Sequence, residues 1–246
     1  MKFSRCIAGL FAIVALTSNT SSAQSIHLVT EPFPPLNMTI TDSTYGRNQK
    51  VTGFATEIVR EVFNRTSSDL EITLYASWDR GFNKALTKQN YGIYSTFRTP
   101  ERESKFKWVG PLFMEDWIIL ANPKSNIKIS KLEDLNKYRV GSFESDSISD
   151  YLKEKGVKIE TAQNDVVNAT KLKLNKIDLW ATSSLSGPYI AKRHQLNLKN
   201  VYTFNSNGLW LAMNKSTDDQ TIQQLNATLK QMKTKGEVKE IISQYK

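Results

Sequence analysis

Apolar positions recur along the chain in short runs whose spacing changes from strand-like to helix-like and back. Ile26-His27-Leu28-Val29 has the content of a short buried strand, and it stops at Glu31-Pro32-Phe33-Pro34-Pro35, where the prolines impose a rigid loop. Gly53-Phe54 leads into residues 55–64, where Ile58, Val59, Val62 and Phe63 fall at helical spacing. Residues 70–75 alternate as a strand should, 78–86 predict a helix, 91–97 a short aromatic strand and 117–121 a strongly apolar one. Repeated strand–helix–strand units of this kind predict an α/β fold with parallel strands.

The pattern then starts again. Leu132-Glu133-Asp134-Leu135 precedes a strand at residues 138–140, and a helix over 147–155 follows, capped by Asp146 or Ser147. Residues 166–174 read as a helix, 177–181 as a strand, 189–194 as part of a helix and 209–213 as a late strand. Ile222, Leu225, Leu229 and Met232 mark one face of a final amphipathic helix. No low-complexity linker separates the two units, and no internal repeat of 20–50 residues is present.

The first 23 residues differ in kind. Lys2 and Arg5 precede an apolar run over 7–16, and small polar residues end at Ser21-Ser22-Ala23, which is the pattern of a cleavable secretory signal peptide. The run is about half the ~20 residues a membrane-spanning helix needs. A soluble, exported, periplasmic protein is therefore expected. Cleavage would remove Cys6, the one cysteine of the 246 residues, and with it any disulfide or thiolate metal site. It would also lower the formal net charge of +9 by two. The remaining Lys and Arg are scattered, with no run of five or more, so a solvated basic surface is expected and nucleic acid is not an expected partner.

Several motifs, in order, resemble the extracellular solute-binding proteins of family 3, the type II periplasmic binding proteins that serve ABC importers. They are Glu31-Pro32-Phe33-Pro34-Pro35, Gly53-Phe54-Ala55-Thr56-Glu57, Thr99-Pro100-Glu101-Arg102 running into Phe106-Lys107-Trp108-Val109-Gly110-Pro111, Leu132-Glu133-Asp134-Leu135 with Val140-Gly141, and Lys176-Ile177-Asp178-Leu179-Trp180. The resemblance covers essentially all of the chain after the signal. It implies two α/β lobes joined by two crossing strands with a ligand cleft between them: one lobe of residues 24–114 and 205–246, the other of 115–204. It also implies a small polar, carboxylate-bearing solute as ligand and a membrane ABC importer permease as partner, with the protein monomeric, free of cofactors and not an enzyme.

Within that frame Arg102 is the leading ligand-binding candidate, because a guanidinium grips a carboxylate through two parallel hydrogen bonds. Its alternative is an exposed residue in the Glu101-Arg102-Glu103 charge run. Phe33 and Trp78 sit where similar proteins place aromatic cleft walls, although either could be core. Tyr94, Ser95 and Phe97 would end a strand at the cleft, though alternation argues against all three facing it. Asp146 and Ser147 open a helix whose free N–H groups suit an anion, Asp146 reading more simply as a cap.

Two positions depart from the family pattern. Ser183 stands where amino-acid binders carry an acid for the ligand's ammonium, and Ala55 replaces the usual Asp after Gly-Phe. An ordinary α-amino acid then needs its missing counter-charge from Asp146 or Glu31. His27 and His194 are too far apart in sequence to suggest a metal site. Ser183-Ser184 lacks the setting of a hydrolase nucleophile. The alternatives are a dehydratase-like enzyme on the same scaffold, with Glu31 and Asp146 as acid and base, and a solute-binding partner of a sensor.

Overall fold

The computed structural model describes residues 25–66, 69–144 and 146–245, so the expected signal peptide lies outside the described residues. In chain order the first elements are β1 (Ile26–Thr30), β2 (Met38–Thr39), β3 (Gly46–Arg47), β4 (Val51–Thr52), α1 (Phe54–Asn64), β5 (Leu70–Leu74), α2 (Trp78–Thr87), β6 (Tyr91–Phe97), α3 (Pro100–Glu103) and β7 (Lys107–Ala121). There follow β8 (Val140–Phe143), α4 (Ser147–Glu154), β9 (Glu160–Ala162), α5 (Asp165–Lys173), β10 (Leu179–Ser183), α6 (Ser186–Arg193), β11 (Lys199–Met213), α7 (Asp219–Thr234) and α8 (Glu237–Ser243). Leu132–Lys137, expected to lead into a strand, is a short 3-10 turn that does so.

Among the described residues, nine strands form one sheet in the order β3-β5-β1-β6-β11-β7-β10-β8-β9. β1 runs parallel to β5 and β6 on one side, and β8 runs parallel to β9 and β10 on the other. Between these groups the 15-residue strands β7 and β11 pair antiparallel from Lys107↔Met213 to Ala121↔Lys199. The sheet is thus mixed: parallel among β5, β1 and β6 and among β10, β8 and β9, and antiparallel at the crossing strands and at the edge strand β3, which pairs with β5. The expected lobe boundaries at 114/115 and 204/205 both fall inside these crossing strands.

Only the apolar ends of β7 and β11 were readable as strands. Gly110-Pro111 interrupts one pattern and Asn205-Ser206-Asn207-Gly208 the other, yet pairing with a long partner holds both extended. The same non-local override moves β10 forward from the expected 177–181. Thr182 and Ser183 stay in the strand because they pair with Ile118 and Trp117 of β7. Hydrophobic burial follows the predicted periodicity elsewhere: Ile58, Val59, Val62 and Phe63 of α1 and Leu225, Leu229 and Met232 of α7 are buried.

The proline loop is fastened by a helix end. The Phe54 and Ala55 N–H groups, unsatisfied within α1, donate to the carbonyls of Pro35 and Leu36 at 3.1 and 3.0 Å. Gly53 makes this approach possible. Its φ is +112°, and a Cβ there would lie 2.3 Å from the Leu36 carbonyl oxygen. We expect Gly53→Ala to destabilise the protein by at least about 1–3 kcal/mol, measured by chemical denaturation. Unchanged stability would show that the loop is not anchored in this way.

Candidate functional site

A cavity of about 520 Å³ lies between the lobes. Its lining comes from the carboxyl ends of the parallel strands, where open α/β sheets bind ligands. Glu31 and Phe33 follow β1, Ser77 and Trp78 follow β5, Ser95 to Phe97 end β6, Phe143 and Glu144 end β8, and Gln163 follows β9. Asp146 and Ser147 join them from the start of α4, and Asp79 and Arg102 from α2 and α3.

Three consecutive residues of β6 reach the cavity because the strand bulges. Trp210 of β11 pairs with Thr96 but the next residue, Leu211, pairs with Tyr94, so Ser95 is the extra residue, with φ +59°. The bulge re-aims Ser95, Thr96 and Phe97 together, which strict alternation would forbid. Ser95 Oγ donates to Asn37 Oδ1, tying the bulge to the proline loop. Tyr94 is fully buried instead, its hydroxyl 2.8 Å from Thr56 Oγ1.

Arg102 is half-buried and aimed at the cavity. Nη1 donates to Thr96 Oγ1 at 3.1 Å and to the Phe97 carbonyl at 3.4 Å, and the guanidinium lies 5.3 Å from the Trp78 ring and 5.4 Å from Phe82. These contacts fix the plane of the fork while, among the described residues, no carboxylate forms a salt bridge with it. In the Glu101-Arg102-Glu103 run it is Glu103 that is paired, with Arg98.

Facing this one cation in the lining are four acids, Glu31, Asp79, Glu144 and Asp146. Burial, reinforced by Asp146 and Asp79, pushes the Glu31 carboxyl up to about 8. Burial, with Asp165 behind it, pushes Asp146 to about 7. Asp146 occupies the N-cap position of α4, as its sequence suggested, but its side chain makes no capping hydrogen bond. Both carboxyls are therefore poised to ionise if a cation enters.

Phe33, Trp78, Ser95, Phe97, Arg102, Asp146 and Ser147 all line the cavity, whereas Ser183 does not. Ser183 is 1% exposed, and its Oγ accepts the Ser186 N–H at the start of α6. Ser77, Asp79, Thr96, Phe143, Glu144 and Gln163 also line the cavity and were not singled out from the sequence. The strand expected at 138–140 runs instead over Val140–Phe143 as β8, so Phe143 and Glu144 at its carboxyl end could be identified only once the strand's true extent was known. No group of three or more potential metal ligands occurs among the described residues.

Glu115 was also unforeseen. It lies on β7 opposite Asn207 of β11, is 1% exposed, and neither carboxyl oxygen has a hydrogen-bond partner. Burial above all, with Asp146 adding a negative field, pushes it up to about 8.

The sequence model described as bacterial extracellular solute-binding proteins, family 3, matches residues 26–246. No curated protein matches the sequence. Solved structures that share the fold include an ancestral arginine-binding protein bound to arginine, at 20% identity and TM-score 0.73, covering 90% of this chain and 97% of that one. A histidine kinase sensor domain with similarity to periplasmic binding proteins matches at 18% identity and TM-score 0.77, over 90% and 96% of the two chains. An ancestral amino acid-binding protein, a precursor of cyclohexadienyl dehydratase, matches at 21% identity and TM-score 0.73, over 90% and 95%.

Glu115 makes a prediction about stability. Its carboxyl holds a proton to about pH 8 when folded and to an ordinary value of 4.5 when unfolded, so folding takes up a proton between those values. Stability from this group is complete below the lower value and is lost as pH rises through the higher one. Glu115→Gln is neutral throughout, so the variant should gain in melting temperature over the wild type from pH 5 to pH 9. Parallel curves would contradict the buried, proton-bearing state.

Proposed function

The chain belongs to family 3 of the bacterial extracellular solute-binding proteins, and from that premise we propose that it captures a small solute carrying both a carboxylate and a cationic group and passes it unaltered to a membrane ABC importer. The observation that carries this reading is Arg102, held without a carboxylate partner among the described residues and facing four acids across the cavity. Arg102 takes the carboxylate through its planar fork, as a lysine could not. Glu31 and Asp146 neutralise the cation, supplying the counter-charge that Ser183 does not. Phe33, Trp78 and Phe97 from one lobe and Phe143 from the other cover the body of the solute and exclude water. A periplasmic setting fits a family described as extracellular. Amino-acid-like solutes fit the volume, and a relative of the same fold has been solved with arginine.

A second reading has one observation in its favour. Two carboxyls at about 8 and 7 could act as acid and base on a bound solute, and a precursor of a dehydratase shares the fold. Glu31→Gln and Asp146→Asn separate the two: an enzyme would lose turnover and keep affinity, whereas the binding protein loses affinity and never shows turnover.

Titration calorimetry with L-arginine as probe tests the main reading. Arg102→Lys should weaken binding by about tenfold or more, because the two-pronged grip becomes a point contact. Binding near pH 7 should release protons, since a cation lowers carboxyl values that start near 7 and 8. Affinity should accordingly rise from pH 6 to pH 8 and level off above. Proton uptake, or affinity falling over that window, would overturn the charge assignment.

A further inference from the structure

Apart from the crossing strands, side-chain bonds between the lobes are concentrated at one place outside the solute cavity. Asp42 lies in the loop between β2 and β3 of the first lobe, and Arg193 ends α6 of the second. Arg193 Nη1 donates to Asp42 Oδ1 at 3.1 Å and Nη2 to Oδ2 at 2.8 Å, a two-pronged ion pair. Among the described residues it is the ion pair that joins the lobes, every other one lying within a lobe. Tyr189, one turn earlier on α6, braces it. The Tyr189 hydroxyl accepts from Arg193 Nη1 at 3.3 Å and donates to Met38 Sδ of the first lobe at 3.6 Å.

The placement of this cluster gives it leverage. α6 begins beside the crossing strands, where the Ser184 N–H donates to the Asp116 carbonyl of β7 at 2.8 Å. Eight residues of helix then carry Arg193 about 12 Å outward. Rotating one lobe against the other by about 20° moves a point at that radius by about 4 Å, which breaks both prongs. None of Met38, Asp42, Tyr189 and Arg193 lines the solute cavity.

We propose that Asp42 and Arg193, braced by Tyr189 and Met38, form a latch that holds the lobes closed and sets how long a captured solute stays, without choosing which solute is captured. The proposal rests on the solute-capture reading for its kinetic part only. A contact made in the closed state and absent from the open one favours closure by its own free energy and slows release by the same factor. Both partners are partly exposed, with side-chain accessibilities of 48% and 63%, so the factor is modest and salt-sensitive.

The test combines two measurements on Asp42→Asn, Arg193→Gln and the double variant. Asn is chosen because Asp42 has φ +57°, which Asn also tolerates. Pulsed EPR on solute-free protein labelled at Lys88→Cys and Lys153→Cys reads the distance between lobes. Stopped-flow release of L-arginine reads the residence time. Each single variant should shift the distances longer and speed release by about two- to fivefold. The double variant should match the singles, and the difference from wild type should shrink at 0.5 M salt. Unchanged distances, or release rates that do not follow them, overturn the latch. If no variant, wild type included, binds the probe, the solute reading fails for that probe, and the EPR result alone decides whether the lobes are latched.

Discussion

The structure depends on the antiparallel pairing of β7 with β11. These strands pair from one lobe to the other, with three register shifts along the way, and the other seven strands of the nine-stranded sheet are added to one side or the other of that pair. Because β6 and β10 both hang on it, the carboxyl ends of two groups of parallel strands in one sheet are brought to face one another, and the residues there become the walls of one cavity. One such group of strand ends alone would offer a few loops to solvent; two groups opposed across one pair of strands make an enclosure. A polar stretch of β11, from Asn205 to Asn207, sits opposite Trp117 to Glu115 in that pair.

Electrostatics then decides what the enclosure can hold. Four acids face one guanidinium; Asp79 and Glu144 are exposed to solvent, whereas burial raises the carboxyls of Glu31 and Asp146 to about 8 and about 7 and so disfavours their charged forms. A solute with separated charges of both signs supplies a partner at both ends. Arg102 is already oriented by Thr96, the Phe97 carbonyl and the Trp78 ring, so little ordering remains to be done on binding.

Much of this was legible in the chain. The strand–helix alternation and the family motifs give the α/β architecture, and Arg102, Phe33 and Trp78, singled out from the sequence, all line the cavity. What was hidden depends on partners distant in sequence. The bulge at Ser95 is created by the register of β11, and nothing local to Tyr94-Ser95-Thr96 announces it. Ser183 reads as a cleft residue from its place after Asp178, yet its hydroxyl is taken by the Ser186 N–H. Glu115 looks like a surface residue beside Asp116, and only pairing with Asn207 reveals that it is inside.

The account's central claim is that the cavity accepts a small molecule with a carboxylate at one end and a cation at the other, and returns it unchanged. Native mass spectrometry of protein purified without denaturation tests it most directly, since a tightly held solute travels with its receptor. A single bound species is expected, containing a carboxylic acid and an amine or guanidine and identical in mass before and after prolonged incubation with the protein. A neutral or purely anionic species in the cavity, or one converted to a different compound, would contradict it.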